Sequence, residues 1–379
     1  MNLNKCSGIL RTLPVVIALL SILGLANPAR AWQLPGLLAP VQNALRQSPA
    51  RLAARPLAAR PLVAFADPDA PADSKPLYVL WNGTAGMTRL YRLYADARPL
   101  FEALHLRVTW LPVKTTQSPP QTIAANCFAS AENFDACNQD TSVPVAAPGE
   151  PDIPQQNDTQ VRQSLHGVGI DNIPLIALNQ GGKWAEFYQL PDGADSGNSM
   201  ALAVAWGVVL QDAPARPADL AKILQSLHGV VEPGGSEDHK LYVFWDPNCI
   251  FCHRLFGQLQ SASGTLKALH LSLVWVPVGV VSETSPAKAT SVMSEGYAAL
   301  VHDEAHFDVA HEQGAAQLGN LDSPAGYEVA ANALIMQKII GNAGTPVMMF
   351  LGKDGLVHDY VGVPRDTRGF LKAVGAALN

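Results

Sequence analysis

Charge is scarce in this chain: Asp, Glu, Lys and Arg make up 15% of its 379 residues, and aromatic residues only 7%. With 48% of residues hydrophobic, that balance excludes wholesale disorder, which needs much charge and little apolar surface to bury. Cysteine is sparse too, five in all, which excludes a small scaffold held by disulfides alone. At roughly 150 residues per domain, the length predicts two domains with ordinary cores. Beyond the N-terminus no long apolar run occurs, since Met200 to Leu210 falls short of the roughly 20 residues that span a bilayer. No Gly-rich loop follows a strand-like run and no zincin or Ser-His-Asp pattern occurs, so no nucleotide, flavin or metal cofactor is expected.

The first 31 residues read as a secretory signal peptide: Lys5 and Arg11, the apolar run Leu13 to Leu25, then Ala29-Arg30-Ala31 as a small-residue cleavage site before Trp32. Cys6 precedes the apolar run and leaves with it, so four cysteines remain in an exported, periplasmic protein where disulfides form. Loss of Lys5, Arg11 and Arg30 leaves 23 cations against 32 acids, a net charge of −9 that disfavours a nucleic-acid partner. Residues 32–74, rich in Ala, Pro and Arg, predict a short helix near Pro40 to Gln47 and a flexible lead-in.

Two segments about 164 residues apart carry nearly the same text. LYVLW at Leu77–Trp81 recurs as LYVFW at Leu241–Trp245, and ALHLRVTWLPV from Ala103 recurs as ALHLSLVWVPV from Ala268, with seven of eleven positions identical. Each copy reads as strand, helix and parallel strand. NIPLIALNQGGKW from Asn172 and GTPVMMFLGKDG from Gly344 then predict hairpins, with PADLAKIL from Pro217 and PRDTRGFL from Pro364 as closing helices. The order β-α-β, helical excursion, β-β-α is that of thioredoxin. The predicted architecture is α/β: two tandem thioredoxin-like domains, each a mixed sheet flanked by helices, at 75–230 and 240–379 with a Gly-rich acidic linker at 231–239.

The copies differ where chemistry would sit. Asp246-Pro247-Asn248-Cys249-Ile250-Phe251-Cys252-His253 opens a helix in the second copy, and Ala85 and Thr88 stand at the two cysteine positions of the first. A cysteine at a helix N-terminus meets free backbone N–H groups and the positive dipole end, which favour thiolate. The i, i+3 spacing lets Cys252 resolve a mixed disulfide formed by Cys249, so these are the candidate nucleophile and resolving thiol. Ile250, Phe251 and His253 are candidate tuning residues. Half a zinc site and a purely structural disulfide are the competing readings of the pair. Thr345-Pro346, at the start of a later strand, predicts a cis proline whose preceding backbone meets an extended substrate; Ile173-Pro174 is its counterpart in the first copy. Cys127 and Cys137 predict a structural disulfide, with a second exchanging pair as the alternative. His105 and His270 share one repeat position and suit helix C-termini. Trp81 and Trp245 suit strand-end packing, and Asn138 to Gln160, with four prolines, predicts an exposed loop.

FWDPNCIFCHRL followed by GTPVMMFLGKDGLVHDYVG resembles the catalytic domain of the bacterial periplasmic disulfide isomerases DsbC and DsbG, over about Lys240 to Leu378, with helices inserted from about Thr290 to Gly341. The resemblance implies reduction or isomerisation of misformed disulfides, with unfolded or misoxidised exported polypeptides as substrates and a membrane-bound thiol reductase as electron donor. Ile250-Phe251 departs from the family's Gly-Tyr or Pro-Tyr. Val243 stands where thioredoxin has its buried acid, leaving no evident proton shuttle. The family's N-terminal dimerisation domain is replaced by the copy without cysteines, an arrangement similar to the inactive domains of eukaryotic protein disulfide isomerase that hold unfolded substrate. A disulfide oxidase, and a non-catalytic chaperone or docking protein retaining a thiol pair, are the alternative functions.

Overall fold

The computed structural model describes residues 63–67, 70–115, 118, 123–139, 144–164, 175–180, 183–189, 199–210, 217–233, 235, 239–341 and 344–379. The expected signal peptide, the helix expected near Pro40 to Gln47 and the Ile173-Pro174 pair lie outside these residues. No described helix is long and apolar enough to cross a membrane.

The first compact unit runs to Pro214. It contains strands β1 (Phe65–Ala66) and β2 (Lys75–Trp81), helices α1 (Ala85–Asp96) and α2 (Arg98–Ala103), and strand β3 (Leu106–Pro112). Helices α3 (Ala131–Gln139) and α4 (Ile153–Ser164), strands β4 (Leu175–Gln180) and β5 (Lys183–Gln189), and helix α5 (Ser199–Val209) complete it. The second unit contains α6 (Pro217–Gln225), β6 (Val230–Val231), β7 (Lys240–Trp245), α7 (Ile250–Ser261), α8 (Ser263–Ala268) and β8 (Ser272–Pro277). It continues through α9 (Ser285–Glu295), α10 (Tyr297–Ala305), α11 (Pro324–Ile340), β9 (Val347–Leu351), β10 (Val357–Val361) and α12 (Thr367–Leu378).

The two sheets share one mixed topology, β1-β3-β2-β4-β5 and β6-β8-β7-β9-β10. The repeated texts are the central parallel pairs: β2 runs beside β3 with Leu77 opposite Val108, and β7 beside β8 with Leu241 opposite Leu273. Near-continuous apolar text fits strands covered on both faces, and Leu77, Val79, Leu241 and Val243 are fully buried. His105 and His270 follow α2 and α8 in the left-handed region, both at φ 53°. Each is the reversal residue that ends a helix and starts a strand, and each donates its backbone N–H back to the helix: His105 N to Glu102 O, and His270 N to Lys267 O.

Several expected boundaries move. Phe65 and Ala66 of the supposed lead-in belong to the first sheet, because β1 pairs antiparallel with β3. The closing helix expected at Pro217 is α6, which lies against β9 and β10 of the second sheet, and the division falls at Pro214/Ala215 instead of residue 230. The helices in contact with α1 are α3 and α5, and the uniformly apolar sequence of α5 hides its facing. Val230 and Val231, at the junction of the supposed first domain and linker, pair with Trp275 and Val274. The proline-rich run expected as a loop becomes helical from Ile153, where the buried Asn157 amide donates to Val63 O and Pro112 O. Asn332 of α11 does the same in the second unit, donating to His228 O and Pro277 O.

Cys127 and Cys137 are joined, Cα to Cα 5.8 Å, tying a turn of 3-10 helix at Ala125–Phe128 to α3. The tie sets Phe128 and Phe134 edge-on to Trp81, at 5.9 and 5.2 Å, and Phe134 stacks on Phe65 at 4.6 Å. Replacing both cysteines by alanine is expected to cost the first unit about 2 to 3 kcal/mol through the freed loop entropy. Denaturant unfolding followed by tryptophan fluorescence measures this, and an unchanged midpoint would refute it.

Candidate functional site

Strand β7 ends at Trp245, and the loop Asp246-Pro247-Asn248 delivers Cys249 as the N-cap of α7. One buried carboxylate holds this loop. Asp246 Oδ1 accepts from Asn248 N at 2.9 Å and Ser285 Oγ at 2.8 Å, and Oδ2 accepts from Val280 N at 2.7 Å and Val281 N at 3.0 Å. Burial raises the Asp246 carboxyl to about 6 against these four bonds. Asn248 is clamped in turn: its amide N–H groups donate to the Ser282, Thr284 and Ser285 hydroxyls, and its Oδ1 accepts from Lys288 Nζ and Gly314 N.

Cys249 is 6% exposed and Cys252, one turn inward, is fully buried; both are free thiols. Cys249 Sγ lies 3.3 Å from the carbonyl of Thr345, whose peptide bond to Pro346 is cis. A hydrogen bond from Cys252 pulls the Cys249 thiol below its ordinary value, against the opposing effect of burial. Burial pushes Cys252 well above its ordinary value. Its sulfur accepts the Asp246 backbone N–H at 3.5 Å. The pair is therefore split into an outer sulfur that ionises readily and an inner one that holds its proton, as successive roles in thiol exchange require. Cys127 and Cys137, bonded to one another in the first unit, supply no ligands for a zinc site at this pair.

The structure brings together Cys249, Cys252, Thr345 and Pro346. Ile250 and Phe251 fill the first turn of α7, with Phe251 51% exposed. His253 stacks on Phe307 at 4.6 Å and bonds through Nδ1 to Glu304 Oε2 at 2.8 Å. Glu304 is buried, and its other oxygen accepts from the Trp245 indole. Burial raises the Glu304 carboxyl, opposed by those two bonds.

Sequence reasoning missed Lys288, Asp303 and Glu304, supplied by the helices between β8 and β9. The readable signal was weak: Leu300, Asp303 and Glu304 fall at i, i+3 and i+4, so two acids share the buried face of α10 with a leucine. The expectation drawn from Val243 also needs amending, because a buried acid does stand near the thiols, as Asp246 on the loop and not as a residue on the strand. Two of the three buried acids of this shell, Asp246 and Glu304, have neutral counterparts in the first unit. Asn82 takes the place of Asp246, accepting from Thr84 N, and Asn138 takes that of Glu304, accepting the Trp81 indole at 2.9 Å.

No family model matches the chain, and no curated protein does. Among solved structures it is similar to a periplasmic thioredoxin-like protein of Salmonella enterica serovar Typhimurium, at 21% identity over 39% of this chain and 91% of that one, with a TM-score of 0.30. It is similar also to the catalytic domain of Proteus mirabilis ScsC, at 19% identity over 41% and 97%, TM-score 0.30. ScsC in a compact conformation gives 19% over 47% and 86%, TM-score 0.33. These likenesses assign neither activity nor partner to this chain.

Asp303 is fully buried, accepts from Ala316 N at 2.6 Å and is raised by burial to about 6 from an ordinary 3.8. Between those two values the folded chain keeps a proton that the unfolded chain has released, so stability falls as pH rises through about 4 to 6. Asp303→Asn keeps an acceptor for Ala316 and removes this part of the slope, so it should stabilise the protein at pH 7 by about 1 to 3 kcal/mol. Chemical denaturation at pH 4 and 7 tests this, and an unaltered pH slope contradicts it.

Proposed function

We propose that the protein is an exported thiol:disulfide oxidoreductase, acting in the periplasm as an isomerase or reductase of misformed disulfides. It is built of two tandem thioredoxin-like units, of which the second is catalytic. The observation that carries the reading is the split pair: Cys249 caps the N-terminus of a 12-residue helix with its sulfur lowered, while Cys252 sits fully buried behind it with its proton held.

The Cys249 thiolate attacks one sulfur of a substrate disulfide. A Cys249–substrate bond forms, the substrate S–S bond breaks, and the second substrate sulfur leaves as a thiolate. Two outcomes follow. If that thiol or another in the substrate attacks the mixed disulfide, Cys249 is regenerated and the substrate has been isomerised without net electron transfer. If Cys252 loses its proton and attacks, Cys249–Cys252 is oxidised and the substrate reduced by two electrons, and a thiol reductase in the membrane restores the pair. Thr345, with its carbonyl 3.3 Å from Cys249 Sγ, supplies backbone for an extended substrate, and the exposed Phe251 ring supplies apolar contact for an unfolded one. The first unit, with Ala85 and Thr88 at the thiol positions, performs no exchange and holds unfolded polypeptide.

Reaction with a scrambled disulfide protein tests this reading. Cys249→Ala should abolish recovery of native pairing, and Cys252→Ala should accumulate a mixed disulfide that non-reducing electrophoresis shows. Retention of activity by Cys249→Ala would overturn the proposal in favour of a chaperone without thiol chemistry.

A further inference from the structure

Further along α7 from the thiols, the exposed side of that helix and the N-terminus of α12 line an open cleft of ≈ 500 Å³. Its α7 wall is Arg254, Gly257, Gln258 and Ser261, spaced i, i+3, i+4, i+7 and therefore on one helix face; its α12 wall is Arg365 to Arg368. A bond from Thr367 Oγ1 to Gln258 Oε1 joins the two walls. Three guanidinium groups, Arg254, Arg365 and Arg368, line the cleft, and among the described residues none of them has a carboxylate partner. The one acid present, Asp366, is occupied as the N-cap of α12, accepting from Gly369 N at 2.9 Å. A concentration of unpaired arginine is unusual in a chain with 32 acids and 26 basic residues. The floor is open at Gly257, where a Cβ would meet nothing within 4 Å.

The cleft begins at Arg254, five residues along α7 from Cys249. Arg254 lies over the exposed Phe251 ring at 5.5 Å, and Phe251 stands between the two cysteines in the sequence. At about 1.5 Å per helical residue, the cleft extends along α7 from about 7 to 18 Å beyond Cys249. A substrate chain at about 3.3 Å per residue reaches that span with side chains some three to five residues from its own cysteine. Guanidinium forks bind carboxylates in paired hydrogen bonds, and an elongated open cleft suits a passing chain better than an enclosed molecule.

We infer that this cleft binds an acidic stretch of the polypeptide whose disulfide Cys249 attacks, so that the enzyme prefers substrates with Asp or Glu a few residues from the reacting cysteine. The inference rests on the thiol-exchange reading above and adds a substrate class to it.

The test uses the full chain and three peptides of equal length, each with one cysteine held as a mixed disulfide with 2-mercaptoethanol and with Glu, Gln or Lys three to five residues away. Attack by Cys249 on the peptide sulfur releases 2-mercaptoethanol, and attack by Cys252 then releases the peptide thiol. Each rate is divided by that with dithiothreitol, which removes the peptide's intrinsic reactivity. The Glu peptide should react on the order of 10-fold faster than the Lys peptide at low ionic strength, with the ratio falling as salt screens the charges. Arg365→Gln with Arg368→Gln should bring the ratio close to one, and Gly257→Met, which fills the floor without changing charge, should lower it too. Equal rates for the Glu and Lys peptides, with the Gln peptide still reacting, would overturn the acidic cleft and leave thiol exchange standing. Failure of all three peptides to react would overturn the exchange reading itself.

Discussion

The clasp that the Asp246 carboxylate makes on the loop between β7 and α7 is the interaction on which the candidate site depends. Its four hydrogen bonds join Asn248, two backbone amides after β8 and the first residue of α9, so one buried group fixes the strand end, the helix start and the inserted helices together. Cys249 takes its position at the head of α7 from that loop, and Cys252 is held against the Asp246 backbone N–H. The arrangement runs against the cost of burying a carboxylate, which appears as the raised Asp246 titration.

The first unit shows that the fold does not require those charges. Its loop makes the same local turn with Asn82, and its strand-end tryptophan is satisfied by Asn138, both neutral amides. Where the unit has no thiols it has no buried acids at these two places either. The second unit keeps Asp246 and Glu304 at the expense of desolvation, which places their value in the chemistry beside them and not in holding the sheet. The first unit is instead held by a disulfide and a cluster of aromatic rings around Trp81.

The sheet centres were legible because a strand covered on both faces must be written in apolar residues, and the duplicated texts became β2, β3, β7 and β8. Cys249, Cys252, Thr345 and Pro346 were legible as motifs, and the structure brings them together. The assignment of α6 failed for a physical reason: an amphipathic pattern states that a helix covers something, not which sheet it covers. Glu304 and Asp303 escaped notice because they reach the site from α10, 50 residues further along the chain, and a buried acid reads in sequence like an exposed one. The facing of His253 depends on Glu304 and on Phe307, so neither its stacking nor its hydrogen bond could be read from α7 alone.

The measurement that tests the account most directly is the ultraviolet thiolate titration of the reduced protein. The account predicts one ionisation below the roughly 8.5 of a free cysteine, lost in Cys249→Ala, with Cys252 remaining protonated well above that value. An ionisation at or above that of a free cysteine, or one that persists when Cys249 is replaced, would contradict the assignment of Cys249 as the nucleophile.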